Sequence, residues 1–273
     1  MIEVKNLKYH YRGGRQQVFN GLNLTLGEGQ ICGLLGKNGA GKSTLLYLMS
    51  GLLIPQDGQI QIDGHEMKCR TPELLQDIYI VPEEYNLPNM SFRELVRMMT
   101  CFYPRFSEQL LRQCLDRFEM PSEPDLKQLS MGQKKKVYMS FALATGTKIL
   151  LMDEPTNGLD IPSKELFRQV IAGAMDESRT LVISTHQVHD VETLLDAVVI
   201  IDNGRVLFNH SMSEIADTYS FNYLKSQQQA ADVLYSEPTL QGNATVSFRK
   251  DGPETAVNLE LLFNAVTLGK VRN

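Results

Sequence analysis

The chain has 273 residues, 42% of them hydrophobic, and a formal net charge of −5. A chain of this length buries roughly 75% of its unfolded surface, so it needs no disulfide or metal staple, and the acidic balance argues against a nucleic-acid partner. Cys32, Cys69, Cys101 and Cys114 form no CxxC pair and follow no secretory signal, which points to a reducing cytoplasm.

Strands are predicted over Met1–Val4 and Val18–Leu26, where Leu22, Leu24 and Leu26 alternate with polar neighbours. Gln30–Leu35 is a short apolar strand that feeds a glycine loop, and Ser43–Gly51 continues as a helix closed by Gly51 and Pro55. Gln59–Ile62 and Ile78–Val81 read as further strands. From Ser91 to Phe118 the apolar spacing turns helical, punctuated by Pro104, Pro121 and Pro124, as expected of a helical subdomain of about residues 84–145 inserted into an α/β core. A helix follows Gly132 to about Thr145; it carries the one basic run, Lys134-Lys135-Lys136, expected to be a solvated face.

Strand and helix then alternate through Ile149–Met152, Ser163–Glu177, Leu181–Ser184, His186–Asp196 and Val198–Ile201, the pattern of parallel βαβ units. Asp202-Asn203-Gly204 turns the chain into an edge strand, Arg205–Phe208. The longest apolar runs, such as Ala197–Ile201, fall far below the ~18 residues that span a bilayer, so any membrane role is borrowed from another chain. The expected division is a main domain over 1–220 and a small α+β extension over 221–273. In the extension Gln227-Gln228-Gln229 reads as a linker, Val246 and Phe248 as strand, and Leu259 to Val266 as a helix capped by Asn258.

Three stretches carry chemistry. In Gly36-Lys37-Asn38-Gly39-Ala40-Gly41-Lys42-Ser43-Thr44 the glycines let backbone N–H groups form a concave nest for a β-phosphate, at the positive end of the next helix. Lys42 reaches the β- and γ-phosphates of ATP, and the Ser43 hydroxyl is placed for Mg2+. The strand Ile149–Met152 ends in Asp153 and Glu154, at the sheet edge where α/β proteins bind ligands. There Asp153 would hold Mg2+ through water and Glu154 would act as general base. Between the two lies Leu129-Ser130-Met131-Gly132-Gln133, a second glycine-containing anion cradle on a chain with one phosphate loop. A second cradle of this kind would serve a nucleotide held by another copy.

In this order the motifs resemble those of the ATP-binding subunit of an ATP-binding cassette (ABC) transporter, over about residues 1–215. The resemblance implies a P-loop NTPase core with an N-terminal antiparallel β subdomain. Residues 36–44 match the Walker A loop, so Asn38, Ala40 and Thr44 join the glycines, Lys42 and Ser43 as nucleotide contacts, and 149–154 match the Walker B strand with its catalytic glutamate. Tyr11 matches the aromatic that stacks on adenine, with Tyr9 and His10 as competitors. Ser130 and Gly132 match the γ-phosphate donors of the family signature, Gln133 closes that signature, and Gly158-Leu159-Asp160 matches the loop that crosses the dimer interface. The resemblance assigns Gln133 and Asp160 to the nucleotide as well, and makes His186 the switch histidine on the γ-phosphate. His65, His189 and His210 are expected to be surface residues.

Two positions depart from the family pattern. Met131 stands where the signature usually has glycine, and Glu83, an expected Mg2+ ligand, stands where glutamine is usual. The Pro82-Glu83 pair resembles the branch that exports drugs, antibiotics and polysaccharides. The implied partners are a second ATP-binding subunit, identical or not, and integral membrane subunits reached through the helical block, which puts the chain on the cytoplasmic face of the membrane. The competing expectations are a soluble single-cassette assembly factor and a regulatory module that binds ATP without hydrolysing it.

Overall fold

The computed structural model describes residues 1–13, 17–84, 87–224, 232–240, 242–250 and 254–272. Strands β1 (Ile2–His10) and β2 (Gln17–Leu26) pair antiparallel, and Leu22, Leu24 and Leu26 point to the core as their alternation demands. β1 runs well past the expected Val4, because a register shift between Val4 and Leu7, with Asn6 at φ +49°, interrupts its period-two pattern before Leu7 and Tyr9 bury again. Strand β3 (Ile31–Leu35) leads into helix α1 (Lys42–Met49). Strands β4 (Asp57–Ile62) and β5 (His65–Glu66) complete the antiparallel sheet in the order β2-β1-β4-β5.

A short helix α2 (Pro72–Leu75) precedes strand β6 (Ile78–Val81). The helical block follows as α3 (Phe92–Thr100), started by a Ser91–Glu94 capping box, α4 (Glu108–Arg117), capped by Ser107, and α5 (Met131–Ala144). The βαβ alternation then gives β7 (Ile149–Asp153), α6 (Ile161–Ala174), β8 (Thr180–Thr185), β9 (Ala197–Asp202) and β10 (Arg205–Ser211). The second sheet has the order β10-β9-β3-β8-β7-β6, parallel except for β10 at its edge.

The helix expected over His186–Asp196 is absent; two 3-10 turns, Val188–Asp190 and Glu192–Leu194, stand there instead. Val188, Val191 and Leu194 recur every third residue, and that spacing suits a 3-10 turn, where i and i+3 eclipse, as well as it suits a helix.

Both faces of the parallel sheet are covered. Leu150, Met152, Ile183, Val198 and Ile200 join the cluster under the helical block, while Leu151, Val182, Val199 and Ile201 join the cluster under α1 and the antiparallel sheet. Double burial explains why these strands read as unbroken apolar runs.

The C-terminal part adds α7 (Met212–Thr218), β11 (Tyr219–Leu224), β12 (Val233–Thr239), β13 (Gly242–Phe248) and α8 (Leu259–Thr267). The three strands form a separate antiparallel sheet, β11-β13-β12, and Asn258 caps α8 by accepting from the Leu261 N–H at 2.9 Å. The expected division at residue 220 falls inside β11, and the expected Gln227–Gln229 linker lies outside the described residues. Val246, Leu262 and Val266 share one apolar cluster with Phe208 and Ile200, so this part packs as an extension of the core.

Phe208 is fully buried at that seam, 6.5 Å from the ring of Tyr219. Phe208→Ala is expected to cost about 3–5 kcal/mol of stability, read as a lower urea midpoint with an unchanged slope.

Candidate active site

Four neighbouring parallel strands, β3, β8, β7 and β6, deliver the predicted residues to one edge of the sheet. The glycine loop leaves β3, His186 follows β8, Asp153 and Glu154 end β7, and Glu83 follows β6. Residues more than a hundred apart in sequence therefore line one cleft of about 530 Å3, among them Tyr11, Asn38, Lys42, Ser43, Glu83, Glu154 and His186.

Gly39 and Gly41 take left-handed φ values of +80° and +104°, which turns successive amides toward the cleft and starts α1 at Lys42. Gly36 permits a close approach: a Cβ there would lie 2.6 Å from the Ile201 carbonyl oxygen. The Ala40 amide donates to the Lys37 carbonyl at 3.1 Å, closing the turn. Lys42 is buried; its Nζ donates to the Gly36 carbonyl at 2.8 Å and to that of Lys37 at 3.4 Å, and pairs with Glu154 Oε1 at 3.3 Å. Of the three aromatic candidates only Tyr11 lines the cleft. Its hydroxyl meets Thr44 Oγ1 at 3.0 Å, while Tyr9 is buried and touches Tyr11 edge-on.

Asp153 is buried on β7, opposite Ser184 of β8, whose hydroxyl donates to its Oδ1 at 2.5 Å. Burial pushes the Asp153 carboxyl pKa up, the Ser184 and Ser43 hydroxyls pull it down, and the nearby charges of Glu83 and Glu154 push it up again. Its Oδ2 is buried without a hydrogen-bond partner. A buried, unsatisfied carboxylate oxygen beside the Ser43 hydroxyl fits a hard divalent cation. Among the described residues no three His, Cys, Asp or Glu side chains converge to hold a metal, so such an ion would take much of its coordination from phosphate and water.

Glu154 is buried and adopts φ +44°, a left-handed conformation for a residue with a Cβ. Its amide donates to the Ser184 carbonyl at 3.0 Å and to the Ser184 hydroxyl at 3.2 Å. Its Oε1 lies 2.9 Å from His186 Nδ1 as well as near Lys42.

The residues of the second cradle stand elsewhere. Ser130 is the N-cap of α5: its hydroxyl accepts from the Gln133 amide at 3.3 Å, and the Gln133 side chain accepts from the Ser130 amide at 3.0 Å. That box engages the Gln133 side chain in the cap. Ser130, Met131 and Gln133 are exposed, Met131 to 74%, and neither they nor Gly132 line the cleft of Lys42. Asp160 is also outside it, capping α6 by accepting from the Ser163 amide at 2.9 Å, and hydrogen bonds from the Ser163 hydroxyl and amide hold its pKa down.

Three neighbours of the site were not singled out in the sequence. Ser184 binds both acids of β7; its signal was a hydroxyl inside an apolar strand. Asn157 donates through Nδ2 to Glu83 Oε1 at 2.8 Å. Lys135 corrects the expectation of a solvated basic face: it is 5% exposed, and its Nζ donates to the carbonyls of Glu154 at 3.0 Å and Asn157 at 2.7 Å. Burial pushes its pKa down, opposed by the charges of Glu83, Glu154 and Asp153.

The ABC transporter family model matches residues 19–157. The lantibiotic transport ATP-binding protein SrtF of Streptococcus pyogenes is 30% identical over 209 residues, covering 76% of this chain and 89% of SrtF. The Nod factor export ATP-binding protein I of Cupriavidus metallidurans is 29% identical over 80% of this chain and 73% of its own length. A solved structure of an ATP-binding subunit of an ABC transporter superposes with a TM-score of 0.71 at 26% identity, covering 79% of this chain and 91% of that one. With its phosphate loop and β7 acids at one sheet edge and these similarities across the core, the chain belongs to the ATP-binding subunits of ABC transporters.

Proposed function

We propose that this subunit binds and hydrolyses ATP to drive an exporter, as one half of a head-to-tail dimer that closes on ATP and opens after hydrolysis. The observation that carries the dimer is the position of Ser130 and Gly132 at the start of α5, the first exposed and the second half-buried, both outside the cleft of their own Lys42. Two such chains related by a two-fold axis would each supply the cradle that the other's cleft lacks.

Tyr11 would face the adenine, and the loop amides of residues 36–44 the β-phosphate. Lys42, now turned onto its own loop carbonyls and Glu154, would turn to the β- and γ-phosphates. That movement would release Glu154 to take a proton from the attacking water as the γ-phosphoryl leaves ADP. His186, on Glu154 Oε1, would orient that carboxylate and contact the γ-phosphate. Ser43, Asp153 and Glu83 would hold Mg2+, which when bound neutralises charge on the phosphate oxygens. Ser130, Gly132, Gln133 and Asp160 would act on the partner's nucleotide, and the bulk of Met131 beside that contact would slow closure.

Among the described residues no helix is long and apolar enough to cross a membrane, so the transport path would belong to partner subunits. A groove of about 510 Å3 between α3 and α4, lined by Phe92, Val96, Leu111 and Leu115, would seat them on the cytoplasmic face. Export as the direction is supported by the Pro82-Glu83 pair and by the Nod factor export relative.

Affinity purification of the full chain from gently solubilised cells tests the transport role. An integral membrane subunit is expected to co-purify, and Leu111→Glu in the groove to release it. Recovery of soluble partners alone would identify an assembly factor instead.

A further inference from the structure

We infer that Lys135 is a positioning residue, whose ammonium clamps the carbonyls of Glu154 and Asn157 and so ties the geometry of the hydrolytic base to the helix that begins at Ser130. The inference rests on the ATPase reading above. Lysine is almost never fully buried unless paired, and the partners of Lys135 are two main-chain carbonyls, at 3.0 Å and 2.7 Å. Both belong to the segment that carries the base.

That segment needs a clamp. Glu154 sits at φ +44°, a conformation that persists in a non-glycine residue only where its surroundings over-determine it. On one side its N–H is held by Ser184 of β8; on the other its carbonyl is held by Lys135. With both peptide groups pinned, the side chain leaves the backbone in one direction, toward Lys42 and His186. The second clamped carbonyl, that of Asn157, belongs to the residue whose side chain holds Glu83. One ammonium thus holds the backbone of one acid of the cleft and that of the residue whose side chain holds a second.

Its placement on α5 adds a consequence. Ser130 and Lys135 are five residues apart on one helix, about 7.5 Å along its axis, with the first exposed and the second buried. A ligand of the partner subunit that shifts Ser130 shifts Lys135 with it, and Lys135 carries the shift to Glu154.

The test compares wild type with Lys135→Met, which keeps the chain length and removes every donor, and with Lys135→Gln, whose amide reaches one carbonyl at a time. Lys135→Met is expected to lower kcat for phosphate release about 30-fold with the Kd for ATP within two-fold, and Lys135→Gln to recover most of that loss. Hydrogen exchange gives a readout free of turnover: a peptide covering Met152–Leu159 should exchange about ten-fold faster in Lys135→Met, with β3 and β9 unchanged. Unchanged kcat in Lys135→Met, no recovery in Lys135→Gln, unchanged exchange in that peptide, or a kcat loss matched by equal loss of ATP affinity overturns the inference. No phosphate release from the wild-type chain would overturn the ATPase reading instead, and the exchange measurement would still decide the role of Lys135.

Discussion

Glu154→Gln is expected to cut ATP turnover by about 10^3-fold and to leave a dimer that forms only with Mg·ATP. The substitution keeps the shape of the side chain and its contact distance to His186, now 2.9 Å, but removes the group that can take a proton. The loop amides and Ser43 are untouched and Lys42 keeps its charge while losing its carboxylate partner, so nucleotide should still bind. With the γ-phosphate intact, the two chains would stay closed around it. Phosphate release measures the first effect, and size-exclusion chromatography with and without Mg·ATP measures the second. Normal hydrolysis, or a monomer at saturating Mg·ATP, would sink the composite-site reading.

Lys42→Met should weaken ATP binding about 10–100-fold, the loss expected when a phosphate oxygen forfeits a hydrogen bond to a cationic donor. The same variant should unfold at lower temperature than wild type without nucleotide. Lys42 and Glu154 are 6% and 7% exposed and paired at 3.3 Å, so removing the cation takes the ion pair from a buried carboxylate that keeps its contacts with His186. Isothermal titration gives the affinity and a thermal melt gives the stability. An unchanged Kd for ATP would show that Lys42 does not reach the phosphates.

The glycine loop and the acids that end β7 were legible because their chemistry is contiguous in the chain. Gly39 and Gly41 announce left-handed backbone within one turn, and four apolar residues ahead of Asp153 announce a buried strand ending in charge. Strand β1 was legible only to Val4, since the shift at Asn6 breaks the alternation on which a sequence reading depends. The connection after His186 was misread as a helix because a spacing of three residues serves two kinds of turn.

Lys134, Lys135 and Lys136 show where sequence stops. Three identical side chains in a row carry no mark of which one faces inward. That choice is made by the packing of α5 against α4 and β6, which puts Lys135 over the carbonyls of Glu154 and Asn157. In the same way, the fold class and the glycine loop that is proposed to bind phosphate follow from local backbone chemistry, which a short stretch of chain contains in full. The strand order β3-β8-β7-β6 brings the glycine loop, His186, Glu154 and Glu83 side by side, and the same packing leaves Ser130 facing outward. Those relations hold between residues distant in the chain, and the burial of both faces of one sheet is what brings them about.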